Sequence, residues 1–338
     1  MMLGIIVFFL LASLLFYVIF GGADFGAGIL ELIARKKDSA RTQELTYRAL
    51  GPVWEANHMW LILAVVILFV GFPQAYAILS THLHIPLMIM LLGIVLRGTM
   101  FIFRHYDAVK DGSQIWYARL FAWSSFLTPL FLGMILGGTI LGQIDLEANS
   151  FFEAYLAPWL NGFSIWLGLF FCLVSAFLAS IFLTIESRQE SEKHQLSRKA
   201  FQINVLMFGM GGIGLVGAGF FDTNINLAAG VLHHYWEGYQ GWLVMGVGSL
   251  LWGATQYCLF TNKYSIARIL GVGEVSVVLL GWIWLQHPAM IIFKDGTNLS
   301  LTQAAAPDAT LMSLGWALII GSVLIFPALF YLFKVFKQ

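Results

Sequence analysis

The sequence predicts an all-α integral membrane protein of about nine transmembrane helices, with its N-terminus outside and its C-terminus cytoplasmic. Three observations predict it: the composition, the spacing of the apolar runs, and the placement of the basic residues. Of 338 residues, 59% are hydrophobic and 11% are charged, whereas soluble domains carry about 25% charged residues. A helix needs about 20 mostly apolar residues to cross a hydrocarbon core of about 30 Å, so the length leaves room for many spans.

Apolar runs separated by polar interruptions lie at 3–33, 53–73, 84–103, 120–141, 159–185, 201–221, 241–261, 266–286 and 310–333. Each is expected to be a helix, because a spanning segment must satisfy its own backbone N–H and C=O groups and these long runs lack the alternation of barrel strands. The run from Met2 to Phe20 has no basic residue before it and no convincing cleavage site, so it reads as a retained first helix and not a signal peptide. The narrowest division is Thr261-Asn262-Lys263-Tyr264. A tight turn between two helices is expected there, since a single helix would invert everything downstream.

Basic residues orient the spans. Arg35, Lys36, Lys37, Arg41 and Arg48 follow the first span, and Arg104, Lys110 and Arg119 the third. Arg188, Lys193, Arg198 and Lys199 follow the fifth, Lys263 and Arg268 the seventh, and Lys334 and Lys337 the ninth. Sixteen of eighteen therefore share one side, which the positive-inside rule makes cytoplasmic. A miscounted helix would have scattered them. The opposite loops carry Asp145, Glu147, Glu153 and Asp222. Net charge is zero, so no global field recruits nucleic acid. Cys172 and Cys258 sit singly in apolar runs and read as small core hydrophobes.

Charges inside spans are expensive and are functional candidates, each needing a partner. These are Asp24, Glu55, Arg97 and Glu274. Glu55 lies seven residues from Arg48 and Arg97 seven from Arg104, placing both within roughly 10 Å of the cytoplasmic boundary, with Asp24 about 16 Å deep. Two carboxylates stacked in depth beside one arginine form a polar track along which protons can pass, since burial raises a carboxyl pKa and a nearby arginine lowers it. The competing reading is a salt bridge that only locks three helices together. Asp24 sits among glycines and alanines, with Gly22 and Gly26 one turn apart, which favours close packing around a buried carboxyl. Glu274 is read as structural or as snorkelling to the cytoplasmic headgroups, and Glu31 as pairing with the Arg35 to Lys37 cluster.

Haem ligation by a membrane helix needs a suitably placed imidazole. His82, His84, His233, His234 and His287 fall near outer ends and His105 and His194 in cytoplasmic loops, leaving His58 as the inner-half candidate with no facing histidine. No cofactor or metal is expected on this chain. The 29 Phe and 12 Trp fit lipid-facing and interfacial positions.

The stretches Gly22-Ala23-Asp24-Phe25-Gly26-Ala27-Gly28, Gly51-Pro52-Val53-Trp54-Glu55-Ala56-Asn57-His58-Met59-Trp60 and Leu96-Arg97-Gly98 are similar to the second subunit of cytochrome bd quinol oxidases. The middle stretch resembles that family's GPxW-acid-x-N-x-x-W motif, and Gly22, Gly26, Trp54, Asn57, His58 and Trp60 are its supporting positions here. The resemblance implies two four-helix bundles, at 1–142 and 143–290, and an outer loop with a peripheral ninth helix at 291–338. It further implies a partner subunit I holding b-type and d-type haems and the quinol site, a complex that reduces dioxygen to water, and a bacterial or archaeal plasma membrane. A small third subunit is left open. Asp24, Glu55 and Arg97 then fall on a proton route from the cytoplasm. Some members carry further acids at places matched here by Gly21 and Ile102.

A proton-coupled secondary transporter would also place carboxylates near mid-membrane, and a purely structural scaffold subunit would leave turnover intact when Asp24 or Glu55 is neutralised. Transport predicts substrate-dependent proton flux by this chain alone; the oxidase reading predicts none without its haem-bearing partner.

The charge asymmetry yields a direct test of topology. Reporters fused after Lys37, Arg119, Lys193 and Lys337 are expected to read cytoplasmic, and those near Asp145 and Asp308 external. An external reading at Lys337 would mean that the helix count is wrong by one.

Overall fold

The computed structural model describes residues 2–34, 39–51, 54–107, 111–217 and 238–336. Arg35, Lys36, Lys37, Pro52, Val53, Lys110, Asp222, His233, His234 and Lys337, all invoked above, lie outside the described residues.

The first span is one long rod made of three pieces: α1 (Met2–Phe16), a π-helical turn (Tyr17–Gly21) and α2 (Gly22–Leu32). An amphipathic helix, α3 (Ser39–Leu50), follows. The second span is α4 (Trp54–Gly71), continued past a break at Phe72 by α5 (Pro73–His82), with proline in the first turn where its missing N–H costs nothing. Next come α6 (His84–Tyr106), α7 (Ser113–Ile140), the short α8 (Phe151–Tyr155) and α9 (Gly162–Glu186). Then α10 (Glu190–Gly217), α11 (Tyr239–Phe260) and α12 (Tyr264–Gln286) follow. A hairpin of β1 (Ala289–Ile292) and β2 (Asn298–Ser300) leads through α13 (Leu301–Ala304) into α14 (Asp308–Phe336).

Among the described residues, eight helices are long and apolar enough to cross a membrane. The sixth expected span falls on α10, whose charged first turns carry Glu190, Glu192 and Lys193 and whose apolar run continues past Gly217 beyond the described residues. Each of the other expected spans coincides with a long helix to within a few residues at most ends. The tight turn between α11 and α12 is present, with Asn262 at φ 59°.

The core is organised around α9. It packs against α2 and α7 on one side and against α10 and α12 on the other, while α14 lies on α1 and α4. Its sequence explains this: Ser164, Gly168, Ser175, Ala176, Ala179 and Ser180 present little bulk, so neighbouring backbones come close. The closest approach is at Gly26, where a Cβ would stand 1.8 Å from the Ser175 carbonyl oxygen. At Gly133 a Cβ would stand 2.6 Å from the Gly168 Cα. Without water to drive helices together, such packing is what associates them. The Ser180 and Thr184 hydroxyls are satisfied within the helix, by the carbonyls of Phe177 at 2.7 Å and Ser180 at 2.6 Å.

At the end of the bundle where the basic residues gather, α3 is held to the start of α10 by Arg41, which donates to Glu192 and Gln189. At the opposite end Lys294 donates to Asp145 at 3.0 Å, holding that carboxyl below its ordinary value. Cys172 and Cys258 are free and buried.

The Gly26 contact predicts an asymmetry between two neighbouring glycines. Gly26→Ala must push α2 off α9 and is expected to cost about 1–3 kcal/mol, seen as a lower thermal midpoint of the detergent-solubilised protein. Gly22→Ala meets Leu178 at an ordinary 3.5 Å and is expected to leave the midpoint unchanged.

Candidate functional site

Three helices converge on Asp24. Its carboxylate accepts a hydrogen bond from Asn57 Nδ2 on α4 at 2.8 Å, and its backbone carbonyl accepts one from Arg97 Nη2 on α6 at 2.9 Å. Asp24 and Arg97 are each 1% exposed. The Arg97 guanidinium lies 5.3 Å from the Phe25 ring centre and 5.2 Å from that of Phe121 on α7, a geometry in which the ring faces offset part of the lost hydration. Tyr17, in the π turn, is buried within electrostatic reach of Asp24 and Arg97.

A second acid and arginine sit below the first. Arg104 Nη1 donates to Glu31 Oε2 at 2.7 Å, and Arg104 Nη2 reaches Glu31 Oε1 at 3.4 Å, with both side chains buried. Glu31 follows Asp24 by seven residues on α2, and Arg104 follows Arg97 by seven on α6. Seven residues are almost two helical turns, so each pair shares one helix face at levels about 10 Å apart. The first and third spans run in the same direction, and equal spacing therefore aligns the two pairs as rungs. Phe121 stands between them, its ring 4.6 Å from the Arg104 guanidinium as well as 5.2 Å from that of Arg97.

Glu55 is placed differently from the expectation. Two positions along a helix are about 200° apart, so with Asn57 turned to Asp24, Glu55 faces the other way. It is exposed and lines a cavity of about 520 Å³ with Tyr47, Arg48, Trp54, Phe101 and Tyr106. Glu55 and Arg97 share a level, as a Cβ on Gly98 would stand 3.1 Å from the Trp54 ring. The arginine nevertheless extends to Asp24, which the sequence had put one turn deeper, and not to Glu55.

The supporting positions divide likewise. Trp54 packs on Phe101, with ring centres 5.7 Å apart. His58 is ringed by Tyr17, Phe25 and Trp54 at 6.1, 5.7 and 6.4 Å. Trp60 lies away from the acids, against Phe16 at 4.6 Å. Gly21 is covered by Tyr17: a Cβ there would be 2.8 Å from its ring. Ile102 lines the Glu55 cavity.

Two further expectations are corrected, and the structural or snorkelling role expected of Glu274 narrows to the structural one. Glu31 pairs with Arg104 on α6, a residue read from sequence as a loop cation. His105 and His194 lie within the ends of α6 and α10 and not in loops, and His105 stacks on Tyr47 with ring centres 3.6 Å apart. Glu274 does not snorkel: it is 3% exposed and accepts from Asn204 Nδ2 at 3.2 Å. Glu274 also borders a mostly apolar cavity of about 250 Å³ formed with Trp166, Met207 and Trp282. The signal that would have revealed the second rung was in the sequence, as a repeat of seven shared by two helices.

Residues 2–336 match the family described as cytochrome bd terminal oxidase subunit II. The chain is 25% identical over 337 residues to a Bacillus subtilis protein named "Putative cytochrome bd menaquinol oxidase subunit II", covering 95% of this chain and 92% of that one. It is 28% identical over 181 residues to the cytochrome bd ubiquinol oxidase subunit 2 of the same organism, about half of each protein (53% and 52%). The bd oxidase structure from Geobacillus thermodenitrificans superposes with a TM-score of 0.78 at 19% identity, over 99% of this chain and 98% of that one. The transporter reading thus gives way, and the chain belongs to the cytochrome bd terminal oxidase subunit II family.

Proposed function

We propose that this subunit of a terminal quinol oxidase supplies the cytoplasmic proton-uptake route for dioxygen reduction, with Asp24 as the buried proton carrier. The observation that carries the reading is the Asp24 carboxylate, 1% exposed inside a membrane bundle yet held by a polar side chain, Asn57, on a second helix. Burial of this kind disfavours the charged form of a carboxyl, and a nearby cation or hydrogen-bond donor favours it. A carboxyl subject to both can take up and release a proton. Arg97 supplies the cation, Asn57 orients the acceptor oxygen, and Glu55 in its open cavity gathers protons at the mouth.

The relatives' names and the shared family support quinol as the electron donor. The haems and the quinol site belong to a partner subunit I in the plasma membrane, and haem iron there supplies the oxygen chemistry. On this chain His58 faces Tyr17, Phe25 and Trp54 and acts in packing. A structural reading of the acids has one observation in its favour, since Arg97 bonds the backbone carbonyl of Asp24 and ties α6 to α2 regardless of the carboxylate.

Mutants separate the two readings. Asp24→Asn keeps the shape of the site and is expected to slow quinol-driven oxygen consumption at least tenfold, as loss of a positioned proton carrier does, with haem content retained. Glu55→Gln is expected to slow it less, because solvent can replace an exposed acid. Arg97→Ala strands buried polar groups at a cost of about 3–5 kcal/mol and should lower the yield of assembled complex. Wild-type turnover by both acid-to-amide variants across pH 6 to 8 would leave only the structural reading. His58→Gln is expected to leave the haem absorbance per complex unchanged, and loss of one haem would assign it a ligand role.

A further inference from the structure

Glu31 is spent on no function by the motifs, yet it occupies a distinctive place. Its side chain is buried against Arg104, it shares a face of α2 with Asp24, and it is one residue from the cytoplasmic end of that helix. The chain has no acid at Gly21 or Ile102, and Glu55 faces its cavity and not the core. Between that exposed acid and Asp24, Glu31 is the carboxylate that the two-rung geometry places on the inner face. The inference rests on the proton-route reading above and adds a residue to it.

We propose that Glu31 is the proton carrier between the cytoplasmic surface and Asp24, with Arg104 as its counterion. Cytoplasmic water delivers a proton to the Glu31 carboxylate, making a neutral carboxylic acid, and Arg104 keeps its place over the Phe121 ring while its ion pair is relaxed. The proton then moves to the Asp24 carboxylate, Glu31 returns to the anion, and its ion pair with Arg104 re-forms. The two acids are about 10 Å apart along α2, too far for direct transfer, so water must bridge them. Arg97 Nε offers that water a fixed partner: it is buried and has no hydrogen-bond partner among the described residues.

A purely structural ion pair makes the opposite prediction when both charges are removed together. Replacing a buried pair by neutral groups of similar volume is often neutral or stabilising, so a structural role would be rescued in Glu31→Gln/Arg104→Met. The proposal expects that double variant, purified as the whole complex, to hold full haem and thermal stability but to consume oxygen at least fivefold more slowly, with a larger solvent deuterium isotope effect. Glu31→Asp is expected to recover most of the rate, because a carboxyl is restored. Wild-type turnover by the double variant would overturn the proposal. If the double variant fails to assemble, Glu31→Gln alone decides: full haem with wild-type turnover refutes the carrier, and full haem with slow turnover recovered by Glu31→Asp supports it. Asp24→Asn measured in parallel keeps the two readings apart. A slow Asp24→Asn beside a fast Glu31 variant refutes only the Glu31 step, whereas wild-type rates in both refute the route itself.

Discussion

A guanidinium that is 1% exposed inside a membrane bundle constrains everything near it. Arg97 stays protonated in nearly any setting, and a charge taken out of water has to be compensated by its neighbours. The compensation comes from separate elements: the Asp24 carbonyl and nearby carboxylate on α2, the Phe25 ring on the same helix, and the Phe121 ring on α7. The two groups on α2 reach the arginine because α2 is drawn deep between α7 and α9. The absence of a side chain at Gly26 permits that depth, letting the backbone of α2 rest on the Ser175 carbonyl. The small-residue packing and the buried charge are therefore two halves of one arrangement.

The polar groups of the bundle sort by access. Glu55 stands where solvent reaches it, Glu31 is sealed by Arg104 just inside, and Asp24 lies beyond, its carboxylate accepting from the neutral Asn57 amide. The buried Asn204 and Glu274 pair in the second half has a different character. Glu274 borders an apolar cavity, and no arginine is bonded to the pair among the described residues.

Much of this was legible in the sequence because the membrane allows few solutions. Apolar length gave the helices, and the one-sided basic residues gave their direction, with no reference to tertiary contacts. Asp24 and Arg97 could be identified because a charge in an apolar run stands out by itself. Facing was harder to read. Glu55 and Asn57 are two residues apart, and only the rotation of α4 decides which looks inward. The second rung was obscured by position: Glu31 lies close to the basic cluster that follows it in the chain, which offers the nearer partner, and Arg104 lies at the boundary, where it reads as one of the orienting cations. Helices α3, α5 and the outer hairpin were not anticipated, since short elements in loops carry no hydropathy signal long enough to read.

The π turn at Tyr17–Gly21 gives the first span an unusual dependence on residue count. A π turn contains one residue more than the α-helical turn it replaces. Deleting a single residue there would let the rod close into a regular helix with little change in how α1 and α2 face one another, because the wider turn takes up its extra residue within nearly the same rotation. The same deletion made within α1 would instead swing everything beyond it by about 100° and turn Asp24 and Glu31 away from α6. Hydropathy would distinguish neither deletion, and span length would not either. In aligning this segment with distant sequences, the π turn is therefore the place where a one-position gap keeps both acids on their face.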